Sequence, residues 1–93
     1  MSKYYSARII ENGKARHTDC YAYKPADALH YLLRHVHISE DATVQLATAF
    51  WKGDTYVSAI YTYCHIPELD EECGSAWHIV GVDYVRHFVA EPE

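Results

Sequence analysis

The residues best suited to chemistry in this chain are its seven histidines and three cysteines, since imidazoles and thiolates bind metals and act in acid–base reactions. Around one segment they cluster in the order Cys64, His65, Cys73, His78. Two thiolates with two imidazoles are typical of zinc sites. The spacing lacks a Cys-x-x-Cys pair, however, and neighbouring strand residues such as Cys64 and His65 point to opposite faces. A metal or small-ligand site here is therefore the alternative interpretation, and the leading prediction includes no metal and no cofactor.

Nucleophilic catalysis requires a Ser or Cys beside a His whose ring is oriented by a third group. Cys20 follows His17 and Asp19 in the sequence, but strand alternation sends Cys20 to the opposite face. The four glycines are isolated, so the sequence contains no Gly-rich phosphate loop. We therefore predict that the protein is not an enzyme.

A run of carboxylates and a large number of aromatic residues favour protein binding instead. The nine Tyr and two Trp residues are of the types enriched in interfaces. The alternative is that the aromatic residues only cover the sheet and that the acidic loop only aids solubility. We predict one outward patch of partner-binding residues, made of Glu68, Asp70, Glu71, Glu72, Trp51, Tyr56 and Trp77.

Length and composition indicate one globular domain over residues 1–93, with 49 % apolar residues and a formal net charge of −5. This charge disfavours direct binding to nucleic acid. No apolar run is long enough to cross a bilayer, and no signal segment is recognisable, so we expect no membrane contact. The odd number of cysteines favours reduced thiols in an intracellular, cytoplasmic protein.

The elements that must position these residues begin with a hairpin over residues 3–24. Asn12-Gly13 lies between two alternating runs and tolerates the positive φ angles of a type I′ turn. A two-residue turn there places Tyr5 opposite Cys20 and Ile9 opposite Arg16. This register sends the apolar side chains to one face.

A helix is predicted over residues 25–38, because Ala28, Leu29, Leu32, Leu33 and Val36 form one apolar stripe. A second hairpin follows over 42–64, then an acidic loop over 65–75 and a last strand over 76–89, with a bend at Gly81. The order ββαβββ predicts a two-layer α+β fold, in which one helix covers one face of an antiparallel sheet of four to five strands. The reverse of the sheet is expected to be exposed.

A wider resemblance rests on the size of the chain, the hairpin RIIENGKARH, the helix opening YKPADALHYLL and the acidic run ELDEE. The chain resembles the small acidic α+β inhibitors encoded by phages and mobile elements, of which anti-CRISPR proteins are an example. That resemblance implies a non-catalytic inhibitor that blocks a nucleic-acid-binding complex of the host. Carboxylates beside aromatic rings can imitate phosphates beside bases, which fits such a nucleic-acid mimic.

We therefore predict a protein-binding module that occludes a basic, nucleic-acid-binding partner by steric and electrostatic means. A homo-oligomeric accessory protein is a further alternative, and either a monomer or a homodimer is compatible with the sequence.

Overall fold

The computed structural model describes residues 2–69 and 76–87, which contain one α-helix and five β-strands. The elements are β1 (Lys3–Glu11), β2 (Lys14–Ala22), α1 (Pro25–His35), β3 (Thr43–Lys52), β4 (Thr55–His65), a short 3-10 helix (Pro67–Leu69) and β5 (Trp77–His87). The strands form one sheet in the order β2-β1-β3-β4-β5, and every neighbouring pair is antiparallel. The predicted α+β class and ββαβββ order are confirmed.

The β1–β2 hairpin turns at Asn12-Gly13, as its sequence predicts. Asn12 and Gly13 have φ angles of 52° and 75°, both in the left-handed region that a type I′ turn requires. Tyr5 pairs with Cys20 in the predicted register. The local turn and the apolar alternation therefore select the same pairing.

The β3–β4 hairpin turns at Gly53-Asp54, because Lys52 pairs with Thr55. Its register places Val44 opposite Tyr63 and continues along the whole length of both strands. Strand β1 also pairs with β3, which joins the two hairpins into one sheet.

Helix α1 packs on one face of this sheet, called here the helix face; the opposite face is the reverse face. Pro25 occupies the start of α1, where its missing N–H leaves no helical hydrogen bond unmade. Ala28, Leu29 and Leu32 are buried. They pack into a core whose strand members are Tyr5, Ala7, Ile9, Cys20, Ala22, Val44, Leu46 and Tyr63.

The described part of the chain contains no helix that is long and apolar enough to cross a membrane. On the reverse face, side chains such as Tyr4, Arg8 and Trp51 are exposed, as predicted.

Strand β5 carries a bulge. Thr62 pairs with Gly81 and Tyr63 with Ile79, so Val80 is an extra residue between them. A bulge bends a strand and strengthens its local twist. The irregularity lies directly beside Gly81, where the sequence predicted a bend.

Candidate protein-binding surface

The structure brings together two of the four residues considered as metal ligands and places a third on the other face. Cys64 and His78 pair directly across β4 and β5 and share the reverse face. His65 is on the helix face, and Cys73 lies outside the described residues. Within residues 2–69 and 76–87, no three His, Cys, Asp or Glu side chains are grouped so that they could hold a metal ion.

Two of the three described candidate ligands, His65 and Cys64, contact a neighbouring side chain. The His65 ring meets the Trp77 ring nearly edge-on at a centroid distance of 5.4 Å. The Sγ atom of Cys64 lies 3.7 Å from Oγ1 of Thr43. Nε2 of His78 is buried and has no hydrogen-bond partner among the described residues.

Cys20 is a core residue, only 5 % exposed. Burial raises the pKa of its thiol, and the nearby Asp19 carboxylate raises it further. The thiol therefore stays protonated at neutral pH, which makes it a poor nucleophile. The structure also places Asp19 and His17 on the opposite face from Cys20, as alternation predicts.

The predicted partner-binding residues that are described lie at two ends of the sheet. Trp51 and Tyr56 pair beside the β3–β4 turn on the reverse face. Glu68 is exposed in the 3-10 helix that follows β4, and Trp77 pairs with His65 at the same end. Strand β4 runs between the two groups, which at about 3.3 Å per residue separates them by roughly 30 Å.

These described residues therefore do not share one patch. Asp70, Glu71 and Glu72 lie outside the described residues.

An aromatic cluster lies on the reverse face at the β3–β4 turn; we call Trp51, Tyr56, Ser58 and His87 the distal cluster. The Trp51 and Tyr56 ring centroids are 5.0 Å apart, and those of Tyr56 and His87 are 5.7 Å apart. Oγ of Ser58 lies 2.7 Å from Nε2 of His87. Among the described residues no carboxylate hydrogen-bonds the His87 ring, so this pair lacks the third group that orients a catalytic base.

Sequence reasoning found Trp51 and Tyr56 and placed Ser58 on the same hairpin face, but it missed His87. A two-residue turn fixes the register of β3 with β4. The segment that joins β4 to β5 is long, so it does not fix the register of β4 with β5. The only available signal was β5 alternation, and the bulge at Val80 shifts that alternation partway along the strand.

A groove of about 590 Å³ opens beside the distal cluster. It is lined by Phe50, Trp51, Lys52, Val57, Tyr84 and Arg86. All except Trp51 belong to the helix face. They lie at the end of the sheet away from α1, because the strands that α1 contacts are mainly β2 and β3. Aromatic and aliphatic side chains form most of its lining, and Lys52 and Arg86 supply two cations.

Strand β5 is exposed on both of its faces. Its large apolar exposed side chains are Ile79, Val80, Val82, Tyr84 and Val85. An apolar surface of this kind is usual where a protein contacts another macromolecule.

A second pair of aromatic rings lies on the β1–β2 hairpin. Tyr4 and Tyr21 pair across the strands with ring centroids 5.6 Å apart. The Tyr4 hydroxyl donates a hydrogen bond of 2.7 Å to Asp19. This bond raises the pKa of Tyr4, because the ionised phenol could no longer donate to the carboxylate.

Comparison of the chain with protein-family models, with curated proteins and with solved structures gave no match.

Proposed function

We propose that the chain is a non-enzymatic protein-binding module, and that it contacts its partner through the groove and the adjoining distal cluster. The observation that carries this proposal is Trp51, which is 62 % exposed although it borders both the groove and the ring of Tyr56. A large aromatic side chain loses little conformational entropy on binding and buries a large area. Such a residue beside a concave apolar surface is typical of an interface anchor.

The groove also limits what its partner can present. Phe50, Val57 and Tyr84 offer apolar contact, while the cations of Lys52 and Arg86 favour a nearby negative charge. A partner segment that fits has an apolar side chain next to a carboxylate. Binding would bury the aromatic rings and pair the cations.

The proposal is tested by Trp51→Ala, with Tyr23→Ala as the matched control. Tyr23 is 67 % exposed and lies after β2, far from β4 and β5 in the sheet order. Proteins from the native cell are captured on immobilised wild type and on each variant, and are quantified by mass spectrometry. The affinity of a captured partner is then measured for all three proteins.

We expect Trp51→Ala to weaken that affinity by at least about 2 kcal/mol, the loss typical of an interface hot spot, and Tyr23→Ala to leave it unchanged. Equal affinity of the partner for all three proteins contradicts the proposed surface.

A finer proposal, which concerns the opposite end of the sheet from the groove, is the inhibitor that the sequence predicts, a cytoplasmic protein that blocks a basic, nucleic-acid-binding complex. Its support is the net charge of −5 and the exposed carboxylate of Glu68 at the end of the sheet remote from the groove. A basic partner would be attracted to this end, and the body of the sheet would then obstruct its nucleic-acid channel.

Charge reversal tests this finer form. If the acidic segment supplies the attraction, Glu71→Lys together with Glu72→Lys should slow association with the partner, and added salt should weaken binding of the wild type. Association rates are measured at two or more salt concentrations. Binding that is insensitive to salt and survives both substitutions would rule out electrostatic occlusion while leaving the groove proposal intact.

A further inference from the structure

The two edges of the described sheet differ in chemistry. Strand β2 is protected by exposed charged and polar side chains, namely Lys14, Arg16, His17 and Asp19. Strand β5 instead exposes five large apolar side chains over its 11 residues. Natural sheets block free edges with charges, because an unprotected edge offers unpaired N–H and C=O groups to another strand. Strand β5 also exposes Asp83, Arg86 and His87, and its bulge lies at Val80, so residues 81–87 form a regular edge on which apolar and charged side chains lie side by side.

The chemistry of β5 favours a second copy of itself. A two-fold axis perpendicular to the sheet keeps each face on its own side, so directly opposed residues come from the same face. With Val85 on that axis, Asp83 is opposite His87 of the second copy, and Tyr84 is opposite Arg86. Each contact occurs twice, giving two carboxylate–imidazole pairs and two cation–ring pairs.

We infer that the chain forms a symmetric dimer in which β5 pairs antiparallel with β5 of a second copy, centred on Val85. The described strands of the two copies, five from each, then form one sheet of ten. This inference does not depend on the proposed function.

Neighbouring registers are less complementary. With Asp83 on the axis, two carboxylates are directly opposed, and like charges in that position are destabilising. With Tyr84 on the axis, Val82 is opposite Arg86, and Asp83 is opposite Val85. The Val85 register alone among these three pairs Asp83 with an imidazole.

Pairing β5 with β2 of another copy fits less well. The exposed charges of β2, such as Lys14 and Arg16, would face the apolar side chains of β5. That contact is also head-to-tail, so it closes only where the rotation between copies completes a ring, whereas a two-fold contact closes at two.

The dimer is tested by analytical ultracentrifugation of purified protein over a range of concentrations. Val85 is 43 % exposed, so Val85→Lys leaves the core intact and places two cations against each other on the axis. Asp83→Lys removes both carboxylates from the pairs. We expect the wild type to be dimeric and each variant to raise the dimer dissociation constant about tenfold or more.

A rescue variant tests the register itself. Asp83→Lys combined with His87→Glu restores opposite charges across the interface and should recover the wild-type dissociation constant. Glu40→Lys is the matched control, because it makes the same charge change at an exposed position outside β5 and should leave the dimer unchanged. Circular dichroism establishes that every variant is folded.

A wild type that remains monomeric at about 1 mM overturns the inference. A dimer unaffected by Val85→Lys, a double variant no better than Asp83→Lys, or open-ended assembly overturns it as well. Tyr84 and Arg86 line both the groove and this interface, so the affinity of the groove for its partner is measured separately on the Trp51→Ala variant. A monomeric wild type that still binds a partner through Trp51 overturns the dimer and leaves the groove proposal standing.

Discussion

At the scale of single residues, alternation along the strands separates core from surface. Tyr5 and Ile9 face the core and are each 1 % exposed, as the predicted hairpin register requires. Ile79 is the same residue type as Ile9 but lies on an edge strand and is 49 % exposed. The position of a strand in the sheet therefore decides what an isoleucine contributes to folding.

This difference predicts unequal effects of one substitution. Ile9→Val removes a methylene from a filled core and should lower the free energy of unfolding by about 0.5–1.5 kcal/mol. Ile79→Val, the matched control, should change it by less than about 0.5 kcal/mol. Urea unfolding of both variants provides the measurement, and equal losses would contradict the assignment of Ile9 to the core.

At the scale of elements, turns were the most predictable part of the fold. The pair Asn12-Gly13 carries its own conformational preference, so the register of β1 and β2 could be derived without knowledge of the rest. The helix was predicted to reach residue 38 but ends at His35. The apolar pattern continues through Val36, which is nevertheless extended at φ −125° and ψ 135°.

Two hydrogen bonds connect the β1–β2 hairpin to the segment that follows the C-terminal end of α1. Nη2 of Arg16 donates to the backbone oxygen of His37 at 2.6 Å, and the N–H of Ser39 donates to Oε2 of Glu11 at 2.9 Å. These bonds hold the segment after α1 against the β1–β2 hairpin. Tertiary contacts of this kind override a local helical pattern and cannot be derived from it.

The first turn yields an element-scale prediction. Gly13 has a φ of 75°, which costs a residue with a side chain about 1–2 kcal/mol, so Gly13→Ala should destabilise the fold by roughly that amount. Gly81→Ala is the control, because Gly81 lacks a positive φ and an added Cβ there meets nothing within 4 Å. Thermal or urea unfolding compares the two variants. Equal destabilisation would show that the turn conformation is not what makes Gly13 necessary.

At the scale of the whole molecule, Glu11 links the first hairpin to the segment after α1. The N–H of Ser39 lowers the pKa of Glu11 by hydrogen-bonding its carboxylate, and Arg16, with Nη2 2.7 Å from Oε1, lowers it further. A folded-state pKa below the ordinary 4.5 means that ionised Glu11 stabilises the fold at neutral pH. This stabilisation is lost as the pH falls from about 4.5 through the folded-state pKa.

The Glu11→Gln variant should therefore melt at a lower temperature than the wild type at pH 7. This difference in melting temperature, called here the gap, should narrow once the pH drops below about 4.5. Glu40→Gln, the same change at an exposed position, is the control. Melting curves between pH 7 and pH 3 provide the measurement. A constant gap for Glu11→Gln would mean that the charge of Glu11 contributes nothing.

The candidate binding surface was less predictable than the fold. Trp51 and Tyr56 were identified as aromatic residues on an outer hairpin face, and a tight turn fixed their pairing. The groove required knowledge of which strand lies beside β4, because Tyr84 and Arg86 reach it only through the β4–β5 pairing. Long connections leave such pairings undetermined in the sequence.

The pairing of β1 with β3 also has a consequence for the order of folding. Each hairpin joins residues that are close in the chain, and such loops close within microseconds. Strands β1 and β3 are separated in the chain by β2 and α1, so their pairing closes a much longer loop. The pairing of β1 with β3 is therefore the slow step in the folding of a nascent chain. During synthesis, the first hairpin therefore waits with one flank open until Ala47, the partner of Ser6, has left the ribosome.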